Sequence, residues 1–251
     1  TFELTLDTDK TLTTPGTSGV LFVRAKRLNG FAGEIQLHVD DLPTGVTASV
    51  GKILATGQDG CIVLTANGDA PFDAQDVRVY GSAILESVEG EETELLVDAA
   101  PYQEIYMPGG GRNHYPVDVY TVSVQKPSDI RNIEISTNEV NLKPGEEVKI
   151  EVELDRAEGF DANVSLDVIY QHLNVVWGNS LPKGVKMDGN KSKVLLTSGE
   201  LKGHVTLVAD DTLEEADRQQ FCIMANVSLN FVMKATYSRE PLFITTTPKA
   251  E

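Results

Sequence analysis

Residues 15–46 return, weakly but in register, at residues 144–185. The first copy reads PGTSGVLFVRAKRLNGFAGEIQLHV and then LPTGV; the second reads PGEEVKIEVELDRAEGFDANVSLDV and then LPKGV. Pro15, Gly16, Arg27, Gly30, Phe31, Leu37 and Val39 come back as Pro144, Gly145, Arg156, Gly159, Phe160, Leu166 and Val168. A repeat of this length predicts two copies of one domain rather than two halves of one active site. The 251 residues suffice for two domains of ordinary size.

Alternation with a period of two runs through both copies. Val20 and Phe22, then Ala25, mark a strand. Ile35, Leu37 and Val39 alternate with polar residues, as do Val148, Ile150, Val152 and Leu154, and then Val205, Leu207 and Ala209. Strands separated by Gly, Pro, Asn and Asp at such short intervals predict antiparallel sandwiches. The expected fold is all-β: two tandem immunoglobulin-like antiparallel β-sandwiches, over residues 1–128 and 129–251. One short helix is expected at DTLEEADRQQ (residues 211–220), where an N-cap-like Asp or Thr precedes Glu. The Gly/Tyr-rich stretch near 99–116 reads as a long loop, and residues 169–180 as a loop inserted in the second copy.

Charge narrows the partners. Up to residue 128 the chain carries 8 Lys and Arg against 18 Asp and Glu; beyond it, 13 against 20. Both halves repel phosphate backbones, which argues against nucleic acid and anionic membranes. No apolar run reaches the length of a membrane helix, so no membrane insertion is expected. The chain opens on the strand-like TFELTLD without an initiator Met, which points to a piece of a longer protein. Cys61 and Cys222 fall one in each unit, at positions that the repeat does not match. They are expected as buried free thiols, with no disulfide inside a unit and none between units.

Catalytic motifs are missing. GGG at 109–111 lacks the Lys-Ser/Thr of a P-loop, and GTSG at 16–19 has the wrong spacing for a nucleophile elbow. His38, His114, His172 and His204 are scattered without metal-binding spacing. No enzyme is expected. Asp210, Asp211 and Asp217 lie in an acidic segment that could hold a structural calcium, although solvated loop charge explains it as well. Trp177, in NVVWGNS, could stack on a sugar or pack against the end of the sandwich. Tyr102, Tyr106, Arg112, His114 and Tyr115 have the composition of a binding loop, and could equally cover an edge or seat the neighbouring domain.

The LP-x-GV run, the strand GCIVLTANGDAP (residues 60–71), VRVYGSA (residues 77–83) and MPGGGRNHYPV together resemble the tandem immunoglobulin-like repeats of large secreted bacterial proteins, found beside bacterial pre-peptidase C-terminal domains. The second unit departs from that pattern in lacking the DAP step and carrying the Trp-bearing insertion. The resemblance implies noncatalytic spacers or interaction modules outside the cytoplasm (periplasmic, secreted or cell-surface). The implied partners are neighbouring domains, another protein or a polysaccharide.

Overall fold

A computed structural model describes residues 1–6, 8–86, 90–109, 111–172, 175–230 and 233–249. The described residues contain strands and turns and no helix. The first unit holds β1 (Phe2–Leu6), β2 (Lys10–Thr13), β3 (Ser18–Arg27), β4 (Ile35–Asp40), β5 (Val46–Ala48), β6 (Gly51–Ile53), β7 (Asp59–Ala66), β8 (Asp73–Glu86), β9 (Glu92–Met107), β10 (Gly111–Pro116) and β11 (Tyr120–Val124). The second holds β12 (Ile130–Ile135), β13 (Glu139–Leu142), β14 (Glu147–Arg156), β15 (Val164–Asp167), β16 (Tyr170–His172), β17 (Val175–Gly178), β18 (Val185–Met187), β19 (Leu195–Leu196), β20 (Lys202–Ala209), β21 (Ala216–Phe221), β22 (Met224–Ser228), β23 (Lys234–Tyr237) and β24 (Leu242–Thr246).

In the first unit one sheet runs β1-β3-β7-β5, and the facing strands run β2-β11-β8-β4-β6. In the second unit one sheet runs β12-β14-β20-β18. Its opposite layer runs β13-β24-β21 and, after a break in two strands, β23-β22-β15-β19. Written by strand letter, both units are A-B-E-D facing A′-G-F-C-C′, the strand order of an immunoglobulin-like sandwich. The A′ strand pairs in parallel with G in both copies.

The repeated residues hold equivalent corners together. Arg27 donates to the carbonyls of Gly57, Gly33 and Leu54, and Arg156 donates to those of Glu200, Ala162 and Leu196. Each guanidinium lies 5.4 Å from the ring centroid of its repeated Phe, Phe31 or Phe160. In the second LP-x-GV run, Gly184 has φ +85°, and a Cβ there would stand 2.4 Å from Leu213 Cα. Only glycine fits that crossing.

Three expectations need correction. Residues 211–220 are not helical. Asp210 Oδ1 accepts from the Thr212 amide, Leu213 is buried under Gly184, and Ala216–Phe221 is recruited as β21 against β24. The pairing demand of the sheet overrides local helix propensity. Residues 99–116 are mostly not loop. β9 leaves β8, runs parallel to β1 at Leu4–Leu6, and continues into a hairpin arm with β10. Pro108 and Gly109 supply part of the turn, Gly109 at φ +93°. The insertion at 169–180 is likewise a small hairpin, β16–β17.

β3 is the strand that Val20, Phe22 and Ala25 mark, and it is apolar on both faces. Leu21, Val23 and Ala25 enter the core of the first unit, together with Ile62, opposite Leu21, and Leu64. Val20 and Phe22 point the other way.

Candidate functional site

That outward face of β3 and β7 is where the two units meet. Phe22, Cys61 and Val63 stand on it, and Cys222 and Met224 of the second unit complete a buried cluster edged by Val20 and Tyr170. Phe22 is 6% exposed, and Cys61 and Cys222 are 0% exposed. The Phe22 and Tyr170 rings stack at 5.9 Å, 14° apart. A Cβ on Gly178 would stand 2.3 Å from the Phe22 ring, so glycine admits the hairpin to this contact.

Polar contacts frame the cluster. Ser18 and Ser238 exchange two backbone hydrogen bonds of 3.0 and 2.7 Å across the junction. Arg24 pairs bidentately with Asp59, at 2.8 and 3.2 Å, and Asp59 also accepts from the Asn179 amide at 3.1 Å. Gln220 Nε2 donates to Cys61 O at 2.8 Å, and Gln219 Nε2 to Ser180 O at 3.1 Å and Lys52 O at 3.3 Å. Cys61 Sγ lies 3.7 Å from Gln220 O. The two thiols share this buried cluster. The neighbouring Cys61 thiol, and then burial, push Cys222 well above the usual thiol range, and the Cys222 thiol in turn pulls Cys61 down.

The two insertions meet beside this cluster. His114 of the arm stacks on Trp177 of the β16–β17 hairpin, ring centroids 4.1 Å apart and planes 19° apart. Tyr102 approaches the same imidazole at 6.4 Å. Tyr106 donates to Glu104 at 2.6 Å on the arm. Below them opens a cleft of about 600 Å³ between the units, lined by Phe22, Glu104, Tyr106, Tyr170, Trp177 and Lys234 among others. Tyr115 is exposed on the opposite face of the arm, near Ile105 and Met107. Arg112 pairs with Tyr106 in the backbone register, and its side chain lies outside the described residues. The structure thus places Trp177, Tyr102, Tyr106 and His114 on one side of the arm and directs Tyr115 away.

Asp210, Asp211 and Asp217 do not form a common oxygen cage. Asp210 accepts from the Thr212 amide and hydroxyl and lies 3.8 Å from Lys186. Asp211 pairs with Lys249, and Asp217 is exposed on β21. Among the described residues no group of three His, Cys, Asp or Glu converges on one position.

The docking face escaped the reading of single strands, although a signal for it exists. GVLFV, GCIVL and FCIMANV lack the polar alternation of a half-wet strand, as befits strands covered on both faces.

No protein-family model matches the chain, and no curated protein matches it. Solved structures similar along its length include the D00–D0 domain of intimin, at 12% identity over 98% of this chain and 100% of that one, TM-score 0.29. The sialic acid binding region of a Streptococcus sanguinis SK1 adhesin, solved with 3'sLn, is 10% identical over 98% of this chain and 78% of that one, TM-score 0.27. Domains 4–9 of the surface layer protein SbsC are 11% identical over 97% and 31%, TM-score 0.32. The immunoglobulin-like assignment rests on the strand order.

Proposed function

We propose that this chain is a noncatalytic two-domain module of a larger exported bacterial protein, acting outside the cytoplasm as a stiff spacer that presents an interaction arm. The observation that carries the reading is the side-by-side junction. A beads-on-a-string pair would meet through a linker, whereas here sheet faces dock through Phe22, Val63 and Met224 and are bridged by backbone hydrogen bonds. The arm adds the interaction surface. β10 pairs only with β9 among the described strands, and Ile105, Met107 and Tyr115 stand exposed beside that edge. Small-angle scattering of the full chain should fit one interdomain orientation across salt concentrations. A broad distribution of orientations would remove the stiff-spacer reading.

The cleft favours a second reading, a polysaccharide partner. Aromatic rings of Tyr106, Tyr170 and Trp177 stand there with Glu104 and Lys234, a mixture suited to the apolar faces and hydroxyls of sugars. Trp177 is the single tryptophan of the chain and reports directly on this site. Titration with mixed oligosaccharides should shift its fluorescence saturably, and Tyr106→Ala should weaken the response by roughly tenfold, as loss of one buried contact of about 1.4 kcal/mol would. A flat titration leaves the spacer reading alone.

A further inference from the structure

Two cysteines serve 251 residues, and they come together across the junction. We propose that Cys61 and Cys222 are a disulfide-forming pair, a covalent staple between the two units made by exchange with a glutathione-type disulfide. The inference is independent of any glycan or protein partner.

Four observations converge on it. Cys61 points out of the first sandwich, and Cys222 sits where the F strand of the second breaks between β21 and β22. Both side chains are buried in one cluster that spans the junction, and Cys61 Sγ lies 3.7 Å from the carbonyl oxygen of Gln220, two residues before Cys222. The sandwich does not need a cysteine at the Cys61 position: facing Phe22 across the ladder is Cys61, while facing the corresponding Glu151 is His204. No third His, Cys, Asp or Glu stands with the pair among the described residues, so the donor set is short of a zinc site.

The surroundings suit thiolate chemistry once the junction opens. Ser180 and Gln220 stand beside the Cys61 sulfur, and Ser180 Oγ and Gln220 Oε1 are buried without hydrogen-bond partners. In the exchange, one cysteine thiolate attacks oxidised glutathione, forming a mixed disulfide and releasing one glutathione thiolate. The second cysteine thiolate attacks the mixed disulfide and releases the other glutathione. The cysteines lose two protons and two electrons; the glutathione disulfide gains both. With both sulfurs fully buried in the docked state, the bond forms as the units dock or while they are transiently apart.

The test uses the full chain, reduced, denatured and refolded in a glutathione redox buffer. Non-reducing tryptic mapping should find peptide 53–78 joined to peptide 219–234 within a monomer. The melting temperature should rise by roughly 5–10 °C over the reduced protein, and that rise should vanish in Cys61→Ser and in Cys222→Ala. The wild-type map needs no variant to fold. Quantitative alkylation of both thiols after oxidative refolding, or a link found only between molecules, would overturn the proposal.

Discussion

Phe22 and Glu151 hold the same place in the repeat, seven residues beyond the shared Pro, and they do opposite things. Phe22 is buried against Tyr170 of the other unit, whereas Glu151 is exposed beside Lys149. The contrast runs along the whole outer sheet face: Val20, Phe22, Cys61 and Val63 in the first unit correspond to Lys149, Glu151, His204 and Thr206 in the second. The inner face is conserved in character, Leu21 and Val23 matching Ile150 and Val152. One fold therefore carries two surfaces. The core phase makes the sandwich, and the outer phase decides whether that sandwich docks. Because the second unit lacks the apolar patch, this contact is made once and does not propagate as a fibre of identical contacts would.

The most damaging way to break the comparison is to give the first unit the residue of the second. Phe22→Glu places an unpaired carboxylate in the junction and should cost about 4 kcal/mol or more. Calorimetry should then show two transitions in place of one, with Trp177 fluorescence shifted to the red. A single transition at the original temperature would mean that the cluster does not hold the units together.

Comparing the copies also shows what was legible. The all-β sandwich fold and the repeated turn glycines followed from alternation and the repeat. The phase of β3 did not, because GVLFVRA is apolar on both faces and either register satisfies a sandwich. The second copy resolves it: Lys149, Glu151 and Glu153 mark the outer phase, and they fall on Val20, Phe22 and Arg24. The arm was hidden for another reason. PGGG reads as loop, but Pro108 and Gly109 turn the chain, and the flanking strands persist by pairing with each other and resting His114 on Trp177. The two segments singled out as rival candidates for binding turned out to be partners. Short-range patterns carry no information on such a contact, which joins residues 63 apart. Cys61 and Cys222 are free and buried, as the sequence predicts, but their sharing of one cluster was not legible, because it depends on how the units dock.

A smaller effect sharpens the comparison at the repeated arginines. Arg156 is 8% exposed and donates to three carbonyls, while Arg27 makes a similar set from a more open position. Arg156→Ala strands buried carbonyls and should cost about 2–4 kcal/mol; Arg27→Ala, with water at hand, about 1–2 kcal/mol. Lys should rescue neither, since it lacks the planar fork. Denaturant titrations measure both, and equal losses would show that burial does not separate the two corners.

The smallest expected difference lies in the turns that lead into the E strands. In the second unit Glu200 accepts from Lys193 at 2.8 Å and from the Thr197 amide and hydroxyl, each at 2.9 Å. Lys193 first, and then Thr197, pull its carboxyl down to about 2. The corresponding turn of the first unit, residues 54–58, has no carboxylate. A folded-state value below the unfolded one means that the contribution is complete above the ordinary Glu range near 4.3 and is lost as pH falls toward 2. Because Glu200 is solvent-facing, the loss should be local rather than global. Amide exchange at Thr197, corrected for its intrinsic pH dependence, should accelerate between about pH 4.5 and 2, while Gly57 in the first unit stays flat. Glu200→Gln should remove the slope. Parallel behaviour of the two turns would mean that the carboxylate contributes nothing beyond the backbone turn the copies share.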